Sequence, residues 1–155
     1  MHKSFLSPLN FELVIPNAEI LCGLVQKVSL PDLNLGTATA PTPHIDYPIP
    51  GKLSYGQMIV YYKIDENLES YMEIYDWLAK MSHPDNYLQY DRRYVDARLK
   101  ILNSNKRPNK YIKLTDCYPV NHSSLDFDVT QDTIQYMEGV VTFKFTQMSV
   151  HDESE

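Results

Sequence analysis

Apolar and polar positions alternate along most of this chain, and a period of two predicts strands. Phe11 to Ile15 alternates and stops at the turn-prone Pro16-Asn17. Glu19 to Leu30, rich in Leu and Val, reads as a second strand closed by Pro31, which has no N–H to give a ladder. Leu53 to Ile64 is a third, with Met58, Val60, Tyr62 and Ile64 on one face and Ile59, Tyr61 and Lys63 on the other. Bulk on both faces predicts a central strand or one facing a partner. Tyr94 to Leu102 and Lys110 to Tyr118 follow, joined by a turn-rich link, and Pro119 to Ser124 breaks the pattern. A short strand at Leu125–Val129 and a long one from Ile134 to Val150, with Val141, Phe143 and Phe145 on one face, complete the set. The terminal His151 to Glu155 reads as a frayed acidic tail.

A period near 3.6 occurs once, from about Glu66 to Met81, where Leu68, Tyr71, Met72, Tyr75 and Leu78 recur at three- and four-residue spacing. Asp65 is the candidate N-cap, Glu66 and Glu69 suit the positive end of the helix dipole, Lys80 suits the negative end, and Pro84 ends the run. Asp32 to Gly51 has neither period and holds Pro41, Pro43, Pro48 and Pro50, which predicts an extended, partly polyproline-like arm. So long a segment without structure of its own usually has a function. The expected fold class is mainly β, a sandwich or barrel-like body with one packed α-helix, in a single domain spanning residues 1–155.

Composition narrows the function. The chain has 155 residues, with 20 acidic against 14 basic side chains and a net charge of −6. No apolar run approaches the ~18 residues of a membrane helix, and Met1–Asn10 lacks a signal peptide's apolar centre, so no membrane anchor is expected. Nucleic-acid binders need clustered Lys and Arg. Asn105 to Lys110 is the one basic cluster; with Tyr111 beside it, Lys106, Arg107 and Lys110 are a candidate single-strand contact, although a solvated turn is the simpler account. Cys22 and Cys117 have no metal-ligand spacing and read as two buried thiols.

No catalytic set stands out. His122, Ser123, Ser124, Asp126 and Asp128 offer nucleophile, base and carboxylate in one stretch, but a triad is defined in space and strand neighbours point to opposite faces. The Asp126/Asp128 pair and His44-Ile45-Asp46 each fall short of the three or four ligands a metal requires. Phosphate-binding Gly-rich loops are absent. No enzymatic activity, cofactor or metal is expected. The 12 Tyr residues are harder to dismiss. Tyr47, Tyr55, Tyr87, Tyr90 and Tyr94 lie in or beside loops, where a large half-polar ring is often an interface residue. With the Pro-rich arm they give a candidate subunit interface: Pro41, Pro43, His44, Ile45, Tyr47, Pro48, Tyr55, Tyr87 and Tyr90.

Several of these stretches, in this order, carry a family resemblance. They are Phe11 to Ile15, Val28-Ser29-Leu30-Pro31, Tyr62 to Glu66 leading into Tyr71–Leu78 with Asp76-Trp77, Ile112 to Asn121, Leu125 to Asp128, and Tyr136 to Phe145. Together they resemble the tail tube proteins of contractile-tailed, T-even-like bacteriophages, which are related to the tube proteins of injection machines. Tyr118 and Phe127 stand where that family has Trp. The resemblance implies a tail-tube-like β-sandwich flanked by a helix. It also implies hexameric rings stacked into a hollow tube inside a contractile sheath, in the virion, assembled in the host cytoplasm. The implied partners are copies of itself, the sheath protein, baseplate or neck proteins, and phage DNA passing without specific binding. A repeating tube subunit and a specialised initiator or terminator ring both fit it. An acidic wall suits a conduit, since it repels the duplex, and ring closure would satisfy exposed sheet edges.

Overall fold

A computed structural model describes residues 4–83 and 93–152. The described chain runs β1 (Phe11–Val14), α1 (Glu19–Gly23), β2 (Val25–Ser29), β3 (Leu33–Ala40), β4 (Tyr47–Tyr55), β5 (Met58–Lys63), α2 (Glu69–Ser82), β6 (Val95–Leu102), β7 (Pro108–His122), β8 (Glu138–Lys144) and β9 (Gln147–Asp152). The architecture is mainly β, as the alternation predicts. The sheet has the order β1-β6-β7-β8-β5-β2, with β9 also paired to β7, and every pairing is antiparallel.

The body is organised by β7. Lys110 to Thr115 hydrogen-bonds to β9 while the same stretch pairs with β6 on its other side, and Tyr118 to His122 pairs with β8. Strands β8 and β9 lie end to end along one side of β7, with Lys144 opposite Tyr118 and Gln147 opposite Thr115. The long final strand expected from Ile134 to Val150 is thus broken at Phe145-Thr146. At that corner Asp116 takes a left-handed φ of 54°, a conformation Asp tolerates better than most residues. Its N–H donates to Asp96 Oδ1 at 3.3 Å, and Thr146 N donates to the Thr115 carbonyl at 2.9 Å. Such corners let a strand leave one sheet layer for another. The two layers close on one core containing Leu13, Ile15, Met58, Val60, Tyr62, Leu99, Leu114, Val141 and Phe143.

Several expectations are corrected. Glu19–Gly23 is helical rather than strand, giving a second helix. Its first turn is held from outside, by the Glu73 carboxylate accepting from Ile20 N at 3.4 Å and Leu21 N at 3.2 Å. A five-residue helix is too short to leave a period. The third strand breaks at Gly56, whose N–H donates to the Asp32 carbonyl. Strand β7 continues through Pro119, because β6 has ended by Val95, opposite Cys117, and a missing donor does no harm on that side. Leu125–Val129 is not a strand but part of an irregular connection. His151 and Asp152 belong to β9, with Lys110 Nζ 3.2 Å from Asp152 Oδ1, so the tail is not frayed there.

Helix α2 starts at Glu69, three residues later than expected, and its buried side is Ser70, Ile74 and Trp77, while Met72 and Tyr75 are exposed. Of the stripe counted from sequence, Leu68, Met72 and Tyr75 are exposed, while Leu78 packs against the core and Tyr71 is half-buried with its ring 4.9 Å from His122. Trp77 packs its ring 5.9 Å from Phe143 and donates Nε1–H to the Arg93 carbonyl at 2.8 Å. Asp65 does cap the helix, from beyond the usual position. Its carboxylate accepts from Ser70 Oγ at 2.8 Å, Glu69 N at 3.1 Å and Ser70 N at 3.3 Å. Desolvation pushes this carboxyl's pKa up, but those three donors outweigh it and hold it below the usual 3.8. A depressed carboxylate stabilises the fold above its unfolded-state pKa, and that contribution is lost as pH falls through the folded value. Asp65→Asn should therefore be less stable than the wild type at pH 7. The gap should shrink as pH drops below about 4, measured by urea unfolding across pH.

Gly139 is required by packing. A Cβ there would sit 2.5 Å from Cε1 and 2.6 Å from Cζ of Tyr62, the residue opposite on β5, whose side chain is fully buried. Gly139→Ala should cost about 1–3 kcal/mol through overpacking, read as a lower urea midpoint.

Candidate assembly surface

Of the segments singled out from sequence, the Pro-rich one departs furthest from its expected form. It is extended, but as a β-ribbon and not a polyproline arm: β3 and β4 pair with each other as a separate two-stranded sheet. The tip, residues 41–46, holds Pro41, Pro43, His44 and Ile45, and Thr42 Oγ1 accepts from Ile45 N at 3.1 Å. Tyr47 and Pro48 open β4, and Tyr55 closes it with its ring 5.6 Å from Phe145, at the junction with the core. Seven of the nine interface candidates therefore lie on one ribbon. Tyr87 and Tyr90 lie outside the described residues.

The ribbon is apolar but uncovered. Leu33, Leu35, Leu53, Tyr47 and Ile49 are each between 46% and 60% exposed. Residues two apart on a strand share a face, so Leu33 and Leu35, opposite Tyr55 and Leu53, lie on one face. Ala38 and Ala40, opposite Ile49 and Tyr47, lie on the other. The apolar stripe thus changes sides between base and tip. The change occurs at a bulge, where the register shifts between Leu35 and Thr37 and Gly51 approaches Gly36. A Cβ on Gly51 would be 2.9 Å from the Gly36 carbonyl oxygen, so this approach requires glycine. An isolated two-stranded ribbon is marginal in water; this one presents apolar side chains on both faces with little to cover them.

Two further stretches, not anticipated from sequence, behave alike. Before β1, Phe5 and Leu9 are 95% and 85% exposed. Between β7 and β8, Phe127, Val129, Ile134 and Tyr136 are exposed. The first has no period, and the second reads from sequence as strand at Leu125–Val129 and from Ile134, so its exposed side chains look like those of a buried strand face.

The chemical alternatives lose ground on geometry. His122 Nδ1 donates to the Ser123 carbonyl, 2.7 Å away, because a carbonyl only accepts, and Nε2 lies 2.6 Å from Tyr62 Oη, from which it accepts in the neutral ring. Both ring nitrogens are engaged, and Ser123 Oγ accepts from Val140 N at 3.1 Å. Burial, with smaller contributions from Tyr71 and Asp65, pushes the Tyr62 hydroxyl pKa well above its ordinary value, which suits a structural donor. Asp128 binds Thr130 through Oγ1 at 2.6 Å and N at 2.8 Å, which lowers its pKa and makes it a turn residue. Among the described residues no three His, Cys, Asp or Glu side chains gather for a metal. The basic cluster is dispersed: Lys110 pairs with Asp152, and Tyr111 stacks on His151 at 5.2 Å with Arg98 5.4 Å from its ring. Burial raises the Cys22 thiol to about 11 and the Cys117 thiol to about 12; Cys117 is buried, Cys22 only partly, and both are free.

No family model matches the sequence, and no curated protein does. Solved structures do. The anti-feeding prophage cap, described as an AFP tube terminating cap, superposes with a TM-score of 0.71 at 12% identity, over 98% of this chain and 94% of that one. The sheath/tube terminator of an extracellular contractile injection system, PVC in its extended state, gives 0.70 at 14% identity over 96% and 98%. Hcp1 from Flavobacterium johnsoniae gives 0.51 at 16% identity over 90% and 93%. The fold is therefore that of tube and tube-terminator proteins of contractile injection systems, the class to which the sequence resemblance pointed.

Gly51→Ala should loosen the ribbon and leave the body intact. Hydrogen exchange at the Ala38 and Ala40 amides should quicken, while the urea midpoint of the core stays within error of the wild type.

Proposed function

We propose that this chain is a structural, non-enzymatic subunit of the inner tube of a contractile tail or injection device. It closes into hexameric rings that stack into a hollow conduit. The observation that carries this reading is the conjunction of a tube-protein fold over nearly the whole chain with a ribbon whose apolar side chains lie open on both faces. A monomer has no use for such a ribbon, and a stacked assembly covers it. The partners are further copies, a sheath protein around the tube, and baseplate or neck proteins at its ends. In a phage tail, assembled in the host cytoplasm, the cargo is DNA, and a net charge of −6 per subunit favours passage without adhesion. The ribbon candidates Pro41, Pro43, His44, Ile45, Tyr47, Pro48 and Tyr55 supply contacts between subunits.

A second reading is a specialised ring that ends the tube, since two of the matched structures are described as a terminating cap and a sheath/tube terminator. Copy number in purified particles separates the two: a repeating subunit matches the sheath protein, and a terminal ring contributes a single ring's worth.

Negative-stain microscopy of the purified protein should show rings or tubes. Deleting Thr37–Tyr47 should leave a chain with native circular dichroism that fails to stack. Persistent monomers of the wild-type chain at high concentration would count against the proposal, as would normal stacking by the deletion variant.

A further inference from the structure

The two long edges of the ribbon are chemically unlike. In an antiparallel pair, alternate residues turn their N–H and C=O toward the partner strand and the rest turn them outward. The Gly56 N–H donates to the Asp32 carbonyl at 3.0 Å, which places Asp32 among the inward residues. Asn34, Gly36, Ala38 and Ala40 follow at two-residue steps on the unbulged strand. Leu33, Leu35, Thr37 and Thr39 therefore direct their backbone groups away from β4. Opposite Thr37 and Thr39 stand Pro50 and Pro48. These two β4 residues occupy outward positions as well, where proline can sit without breaking the ladder to β3. The outer edge of β4 consequently lacks two donors near the tip. The outer edge of β3 keeps all of its own, and Leu33–Ala40 contains no charged residue and no proline.

Natural edge strands are commonly protected by charge, proline or a bulge. Here β4 has two prolines and the bulge, and β3 has none of these. We infer that the β3 edge is a strand-accepting site for a second copy of this chain: a strand of the neighbour adds to Leu33–Ala40 by backbone hydrogen bonds, while Pro48 and Pro50 close the β4 edge. The choice of a second copy rests on the tube reading above and on area. The chain exposes 11610 Å², whereas a compact chain of 18.0 kDa is expected to expose about 8,000 Å². The excess, on the order of 3,500 Å², is well above the roughly 800 Å² that a standard interface buries on each partner. The ribbon and the two irregular apolar stretches contribute to it.

The asymmetry also limits growth. Two open edges would allow ribbon to pair with ribbon without end, through β3 of one copy and β4 of the next. With the β4 edge blocked near its tip, each ribbon accepts one strand on one side, which favours a bounded contact over a fibre.

Residue-resolved hydrogen exchange on wild-type assemblies, quenched and dissociated for readout, tests this directly. The amides of Leu33, Leu35, Thr37 and Thr39 should exchange freely in dilute monomer and slow by at least ten-fold on assembly. Unchanged exchange in a formed assembly overturns the inference and leaves the tube reading standing, whereas a wild type that never assembles overturns the tube reading. As a second arm, the Thr37→Pro/Thr39→Pro variant should keep native circular dichroism and lose assembly. Thr37→Val/Thr39→Val, which retains both donors, should assemble normally. Assembly by the proline variant, or equal loss in the valine variant, would contradict pairing through the backbone.

Discussion

Strand β7 carries ladders to three partners, and the remaining architecture follows from how they are arranged along it. One side is occupied by β6 as far as Cys117 and the other by β9 and then β8, whose register with β7 shifts by one residue between Pro119 and Asn121. A strand that long cannot stay flat against one core, and the turn at Asp116, with Thr146 opposite, lets it pass from one layer to the next. Once β7 is placed, the two layers enclose Tyr62, Val141 and Phe143, and α2 covers them with Ile74 and Trp77. The link from β2 to β5 has no place in that closed body. It leaves as the ribbon β3–β4, tethered where Tyr55 meets Phe145. The same constraint that completes the core thus puts an apolar ribbon outside it.

Much of the body was legible in the sequence because burial imposes a period. Met58, Val60 and Tyr62 alternate with half-buried neighbours, and the structure places them on a central strand between β8 and β2. Val141 and Phe143 likewise face inward as the alternation requires. The failures have physical causes too. On α2 apolar residues lie on more than one side, and only packing against β7 and Phe143 decides that Ile74 and Trp77 win over Met72 and Tyr75. Helix α1 depends on Glu73 from another element, a contact no local pattern encodes. Pro119 reads as a break but sits where no second partner strand remains.

The candidate interface was legible only in part, for a related reason. Proline content marks the ribbon, yet it suggests a polyproline arm unless the outward positions of Pro48 and Pro50 are known, and those depend on register with β3. Tyr47 and Ile45, interface candidates by sequence, are exposed on the ribbon. The exposure of Leu33, Leu35, Phe5 and Phe127 is not legible, because an isolated large apolar residue in sequence looks the same whether it is buried or exposed.

The central claim is that this fold is completed by copies of itself. Sedimentation velocity on the purified chain over a wide concentration range tests it most directly. The account predicts a discrete closed species several-fold heavier than 18.0 kDa, together with longer stacks as concentration rises. A single species that sediments as an 18.0 kDa monomer at every concentration would contradict it.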